Sequence, residues 1–304
     1  MIHTFSGNNL DRGDAIRRDQ QLVDAAASHP DSLFLGFYNL DVLVHDDDGV
    51  RLGWLSQRDI SGLSITIPPI LLGMRDGITY FAIDLSMVED SLIKLNLGSN
   101  WTYRDCRAVA MALQNNDTGI IAQARAQISW HSNHQFCSKC GNTTQQRKGG
   151  HVRRCESCKA DHFPRTDPVV IMLIANGEQC LLGQGFGPMV KMNMYSTLAG
   201  FIDQGESIEE AVRREVKEEA GIEVGDVHYH SSQPWPFPSS LMIGCQGQAI
   251  STDITIDPVE MADVRWFSKA EVADSLYKRT KDLYLPGSMA IAHHLIRSWI
   301  ENKH

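Results

Sequence analysis

The chain has 304 residues, 42% hydrophobic and 21% charged, which is enough apolar content for a packed core and enough length for two ordinary domains. Its formal net charge of −9 argues against a protein built mainly to grip nucleic acid, and against a general anchor for anionic membranes. No apolar run reaches the ~20 residues needed to span a bilayer. The first residues lack a signal-peptide core and the last ones, SWIENKH, carry no lipidation signal, so a cytoplasmic location is expected and no membrane partner. Seven cysteines, four of them in two CxxC pairs, point to a reduced compartment with a metal site. The other three, Cys106, Cys180 and Cys245, lie in or beside apolar or helical segments and are expected to be buried.

In chain order, a helix is expected around Asp14–Ser28, stopped by His29-Pro30. Leu33–Val44 is β-rich and is followed by the turn HDDDG; the acidic triplet lacks calcium-loop spacing and a terminal Glu, so it reads as a solvated turn. Further strands are expected at Val50–Leu55, Leu63–Ile67 and Ile78–Leu85. Two helices follow, Asp105–Asn115 and Thr118–Trp130, separated by Asn115-Asn116-Asp117. This region, 1–130, reads as a β-rich domain with flanking helices and holds no catalytic motif. Trp130 is expected to be packed and His131 exposed. No internal repeat is visible.

Residues 131–162 carry Cys137-x-x-Cys140 and, after fourteen intervening residues, Cys155-x-x-Cys158. Two such knuckles present four thiolates to one tetrahedral Zn²⁺ and leave no position open for water, so the site should be structural. A redox CxxC would need a βαβ context that is absent. Between the knuckles, Arg147–Arg154 form a basic hairpin. It fits three readings: nucleic-acid contact, a phosphate-facing rim, or a solvated hairpin.

Residues 163–304 begin a further domain. Strands are expected at Val169–Ala175, Gln179–Gln184, Met194–Ala199, Val227–Ser231, Leu241–Ile250 and Val264–Phe267, with helices at Ser268–Ser275 and Ser288–Asn302 and a loop over GQGFGPM. In SQPWPFPSS three alternating prolines forbid a helix or central strand, leaving a rigid extended loop that displays Trp235 and Phe237. These aromatics can stack on a base or plug the core.

The most informative stretch is Gly200–Ile222, GFIDQGESIEEAVRREVKEEAGI. Ser207 caps a helix that ends at Ala220 before Gly221. Ile208, Ala211, Val212 and Val216 form its apolar stripe, and Glu215 and Glu219 fall on that same stripe, with Glu218 at its edge. The simplest reading is an acidic solvated helix with i,i+4 ion pairs. Inward carboxylates are costly unless a cation meets them, and Mg²⁺ or Mn²⁺ suits oxygen ligands one turn apart.

The spacing Gly200, five residues, Glu206, seven residues, then REVKEEAGI matches the Nudix box. Together with the preceding Cys₄ ribbon and SQPWPFP downstream, it resembles the NADH pyrophosphatase family over about Trp130 to the C-terminus. The resemblance implies an α+β chain, with a Nudix α/β/α sandwich around a mixed sheet behind a zinc ribbon and a β-rich domain. It implies homodimers that hydrolyse NADH, and more slowly NAD⁺, to nicotinamide mononucleotide and AMP; some members remove NAD caps from RNA. It assigns catalysis and Mg²⁺ or Mn²⁺ binding to Glu215 and Glu219, with Glu218 supporting, the Ala199 carbonyl contributing and Glu260 as a further ligand or base. It assigns nucleotide binding to Gln233, Pro234, Trp235, Pro236, Phe237, Pro238, Ser239 and Ser240, with Ala292 as another contact. Phe163 stands where some members have tyrosine, keeping a stacking face without the hydroxyl, and Gly150 where some have a polar residue. Arg214 is expected to orient the box glutamates through ion pairs. Two other classes compete: a nucleotide sensor that binds without hydrolysing, which predicts a broken box, and a zinc-ribbon nucleic-acid protein, which the acidic balance disfavours.

Overall fold

The computed structural model describes residues 2–113 and 117–302; Asn115 and Asn116 of the expected helix break lie outside them. The chain divides into two compact units, one of Phe5–Thr166 with Trp235–Ser239, the other of Met1–Thr4, Asp167–Pro234 and Ser240–His304.

The first unit begins with α1 (Asp14–Arg17) and α2 (Gln20–Ala27). One helix is expected here, but Asp19 interrupts it by capping α2, its carboxylate accepting from Gln21 N at 2.8 Å. The β-rich stretch resolves into β1 (Leu33–Tyr38) and β2 (Asp41–Asp46), turned by Asn39 and Leu40, both at positive φ. There follow β3 (Val50–Leu52), β4 (Trp54–Ser56), α3 (Gln57–Ile60), β5 (Ile70–Arg75), β6 (Ile78–Asp84), α4 (Ser91–Leu95), β7 (Trp101–Arg104), α5 (Cys106–Ala112) and α6 (Thr118–Asn133). The strand expected at Leu63–Ile67 does not form. Its backbone is spent on local turns, Leu63 N to Ile60 O and Ile65 N to Leu63 O, and the strand lies beyond Pro68-Pro69 as β5. Phe34 and Phe81, ring centroids 5.4 Å apart, stack at the centre of this unit's core with Leu43, Leu55 and Leu71 around them.

The ribbon strands β8 (Thr144–Arg147), β9 (Val152–Cys155) and β10 (Asp161–His162) make a three-stranded antiparallel sheet in the same unit. Trp130 is buried as expected. His131 is not exposed but 3% accessible, because its ring bonds the Gly150 carbonyl at 2.9 Å and Arg153 at 2.9 Å.

The second unit contains β11 (Asp167–Asn176), β12 (Gln179–Gly185), α7 (Pro188–Lys191), β13 (Leu198–Phe201), α8 (Ile208–Ala220), β14 (Val224–Trp235), β15 (Ser240–Ala249), β16 (Met261–Ser268), α9 (Lys269–Leu276) and α10 (Ile291–Ile300). The central strand β11 buries both faces. Val170, Met172 and Ile174 meet Ala211, Val212 and Val216 of α8, while Ile171 and Leu173 share a core with Leu295, Ile296 and Trp299 of α10. That alternation is the α/β/α sandwich. The expected GQGFGPM loop closes with the single turn α7, and the last helix starts at Ile291 rather than Ser288. β14 carries Pro234, which it tolerates because it is the edge strand of the order β14-β15-β11-β12-β16.

The two sheets share one connectivity, a repeat invisible in the residues. β11 pairs β12 and β13 antiparallel and β15 parallel, and β12 pairs β16. β1 likewise pairs β2 and β4 antiparallel and β6 parallel, and β2 pairs β7. Between β4 and β5 stands α3, four residues long (Gln-Arg-Asp-Ile), where α8 with its thirteen residues stands between β13 and β14. The first unit therefore repeats the sandwich topology without the glutamate helix.

Candidate active site

Helix α8 is set at both ends by its own sequence. Ser207 and Glu210 form a capping box, and Gly221 closes the helix at φ 72°, where a Cβ would crowd Thr255. The periodicity then turns Glu215 and Glu219 inward, to 9% and 7% accessibility. Gly200 on β13 makes room for this. A Cβ there would lie 1.9 Å from the Glu215 carboxyl carbon, so only glycine lets that carboxylate rest on the strand. Gly200→Ala is expected to displace Glu215 and lower kcat about a hundredfold, on the scale of losing one preorganised catalytic contact; steady-state kinetics with unchanged circular dichroism would show it.

Arg214 organises the carboxylates. Its guanidinium grips Glu206 with two hydrogen bonds of 2.6 and 2.8 Å, donates to Glu215 at 2.8 Å and Glu218 at 2.9 Å, and reaches the Phe201 carbonyl at 2.8 Å. The Arg214 bonds, with the Asp203 amide, draw the Glu206 carboxyl down to about 2. Glu219 is in the opposite situation. Burial, followed by the charges of Glu215, Glu260 and Glu218, pushes it up to about 8 against the help of the Ala199 amide. Its Oε2 is buried and has no hydrogen-bond partner among the described residues. An orphaned carboxylate oxygen amid like charges fits a divalent cation, the one partner that answers both the missing bond and the repulsion. Glu215 is also raised, chiefly by burial. Glu260 is exposed on the turn before β16, in a segment tied to α8 by Thr255 N to Ala220 O at 2.9 Å. The carboxylates of Glu215, Glu219 and Glu260 interact electrostatically, but only the four ribbon thiols, among the described residues, gather within 4.8 Å of one another.

Those thiols make the second centre. Cys137–Cys158 and Cys140–Cys155 sulfurs are each 3.5 Å apart, near the ~3.8 Å edge of a tetrahedron with Zn–S of about 2.3 Å. Both knuckles fold alike: Gly141 and Lys159, each following the second Cys, sit at positive φ and donate to the Cys137 and Cys155 carbonyls. Asn142 and the His162 ring contact Cys140 and Cys137 sulfurs at 3.4 and 3.2 Å, the outer hydrogen bonds a thiolate site needs.

The residues of SQPWPFPSS divide between the units. Gln233 is 1% exposed, and its carboxamide is fully engaged: it donates to Thr4 O (2.9 Å) and Met289 O (2.7 Å) and accepts from Ile291 N (2.8 Å). It fastens the chain's start to the start of α10, where Ala292 lies buried in the core. Gln233→Ala leaves these backbone groups unpaired, so a stability loss of about 2–4 kcal/mol is expected, read as a lower denaturant midpoint. Trp235 and Phe237, in the first unit, pack edge-on with Phe5 at 5.9 and 5.6 Å, and the guanidiniums of Arg107 and Arg125 lie 3.6 and 4.3 Å from the Phe237 ring centre. Arg125 also donates to the Pro236 carbonyl. Pro238 and Ser239 complete the turn, and Ser240 opens β15 beside Asp167. Phe163 is 65% exposed. Sequence reasoning missed Arg107 and Arg125, which carry no motif; it also missed why Gly200 must be glycine.

Comparison with known proteins agrees with this architecture. Residues 164–285 match the NUDIX domain, 132–163 the NADH pyrophosphatase zinc ribbon domain, and 31–130 the NADH pyrophosphatase-like rudimentary NUDIX domain. The last is the counterpart of the repeated topology described above. The fold and box define a Nudix hydrolase with a zinc ribbon. The chain is 37% identical to the NAD-capped RNA hydrolase NUDT12 of Homo sapiens, over 97% of this chain and 73% of that protein. It is 38% identical to the mitochondrial NAD(P)H pyrophosphatase NUDT13 of Mus musculus (74% and 68% covered) and 32% identical to the NAD-capped RNA hydrolase NudC of Stutzerimonas stutzeri (85% and 86%). The chain belongs to the NADH pyrophosphatase family of Nudix hydrolases. No helix among the described residues is long and apolar enough to cross a membrane.

Proposed function

We propose that the protein hydrolyses the diphosphate of NADH, and of NAD⁺, to the nicotinamide mononucleotide and AMP. The observation that carries this reading is the inward pair Glu215 and Glu219, with its orphaned Oε2, on the box helix of a chain that bears this family's zinc ribbon. Glu215 and Glu219, with Glu260, would hold Mg²⁺ or Mn²⁺. When bound, the cation neutralises the diphosphate and acidifies a water. Arg214 keeps Glu215 and Glu218 oriented, and Glu218 or Glu260, both exposed, accepts the water's proton as it attacks phosphorus in line. The nucleotide-binding roles of Phe163, Gln233–Ser240 and Ala292, and the Ala199 carbonyl as a metal ligand, belong to the same proposal and rest on the family motif. Homodimer assembly rests on the same resemblance, one structural Zn²⁺ per chain on the four gathered thiols, and a cytoplasmic location on the cysteine usage.

Removal of NAD caps from RNA is the second reading, favoured by the names of the human and Stutzerimonas relatives. Products from NADH in H₂¹⁸O identify the bond and the phosphorus attacked, and kcat/KM for NADH against NAD-capped RNA ranks the substrates. Intact NADH after incubation with Mg²⁺ or Mn²⁺ would refute the first reading, and intact NAD-capped RNA as well would leave a binding protein.

A further inference from the structure

Two of the three arginines of the basic hairpin Arg147–Arg154 are neutralised by acids that follow it in the chain. Arg147 pairs with Glu156 at 2.7 Å, Lys159 with the same carboxylate at 3.1 Å, and Arg154 with Asp161 through two bonds of 2.7 and 2.8 Å. Arg153 differs. Among the described residues it has no carboxylate partner; its guanidinium donates to the Thr144 hydroxyl (2.8 Å), the Thr144 carbonyl (2.9 Å) and His131 Nδ1 (2.9 Å). His131 offers no counter-charge, since Nε2 bonds the Gly150 carbonyl and so carries the proton while Nδ1 accepts. Three of the five guanidinium N–H groups are thereby used, by neutral acceptors only.

Arg153 lines a cavity of about 360 Å³ in the first unit, together with Thr66, His131, Gln145, Gln146 and Arg147. That volume lies in the range of small-molecule sites. A half-buried guanidinium without a counter-ion favours an anion, and its planar fork suits phosphate oxygens. Of the residues lining the cavity two are arginines and none is acidic.

We propose that this cavity is a binding site for a small phosphate monoester, with Arg153 as its charge receptor. It involves none of the carboxylates of the candidate active site. The probe is ribose 5-phosphate, titrated calorimetrically into the zinc-loaded full-length protein, with ribose as the control lacking phosphate. Ribose 5-phosphate is expected to bind at one site per chain and ribose not at all. Gln145→Glu places a tethered carboxylate in the cavity, beside Arg147, to which Gln145 already bonds at 2.7 Å. It is expected to weaken binding at least tenfold while leaving zinc content and NADH turnover unchanged. Arg153→Gln should do the same for binding, and Gln145→Glu keeps the test decisive if that variant misfolds. Absence of binding, equal binding of ribose, wild-type affinity in Gln145→Glu, or binding lost on Glu219→Gln would each overturn the proposal.

Discussion

Glu219→Gln is expected to lower kcat for diphosphate hydrolysis by about a thousandfold or more, equivalent to roughly 4 kcal/mol of transition-state stabilisation. The variant keeps the shape and burial of the side chain but loses the charge that would hold the cation. Its effect on the fold should have the opposite sign. In the cation-free protein Glu219 sits at about 8, raised from an ordinary 4.5. Between those values the folded chain retains a proton that the unfolded chain releases, so stability falls as pH rises through that window. Glutamine removes this penalty. The variant without catalytic cation should therefore exceed the wild type in stability at pH 8, by an amount on the order of a few kcal/mol, and the two should converge below pH 4.5. Thermal melts across pH, with zinc retained, measure this. Unchanged turnover in Glu219→Gln would refute the catalytic assignment, and a pH-independent difference in melting temperature would refute the burial argument.

Cys155→Ser carries the largest expected structural effect. Cys155 is fully buried, its sulfur 3.5 Å from that of Cys140, and its backbone N–H bonds Ala160 O within the second knuckle. A hydroxyl is a poor substitute for a thiolate, and the zinc-binding energy of such sites, about 10–16 kcal/mol, is folding energy for the ribbon. Zinc content should fall well below one per chain, and the pairing of β8 with β9 should be lost, visible as collapsed amide protection. Full zinc retention by elemental analysis would sink the Cys₄ assignment.

Much of the candidate site was legible because its signals are local. Helical periodicity alone turned Glu215 and Glu219 toward the core, since residues four apart share a face whatever the rest of the chain does. The zinc ligands were equally local, two CxxC turns that each fold around their own backbone bonds. The central strand β11 was readable from its β-branched run, whereas the strand expected at Met194–Ala199 forms at Leu198–Phe201, where it pairs with β11. Errors came where backbone groups had nearer partners than a neighbouring strand, as at Leu63–Ile67, or where a polar side chain could cap, as at Asp19.

Non-local features were hidden. Topological repetition depends on which strands pair, and the first sheet carries no copy of the glutamate box that would announce it. The expected exposure of His131 failed because the Gly150 carbonyl and Arg153 lie 19 and 22 residues away in sequence. The hold on Gln233 was equally hidden: its amide is bonded to Thr4, Met289 and Ile291, partners that no spacing rule brings together.

The sequence by itself determined the chemistry this protein carries: the capped glutamate helix, the four thiols and the proline-aromatic loop, each set by covalent spacing and short-range geometry. Tertiary structure alone decided the charge state and partners of those groups. Arg214 binds Glu206 across eight residues, and among the described residues Glu219 is left with a buried oxygen that nothing satisfies and Arg153 is the hairpin arginine that has no acid. Burial and ion pairing are set by distances between chain segments, and folding is what creates those distances.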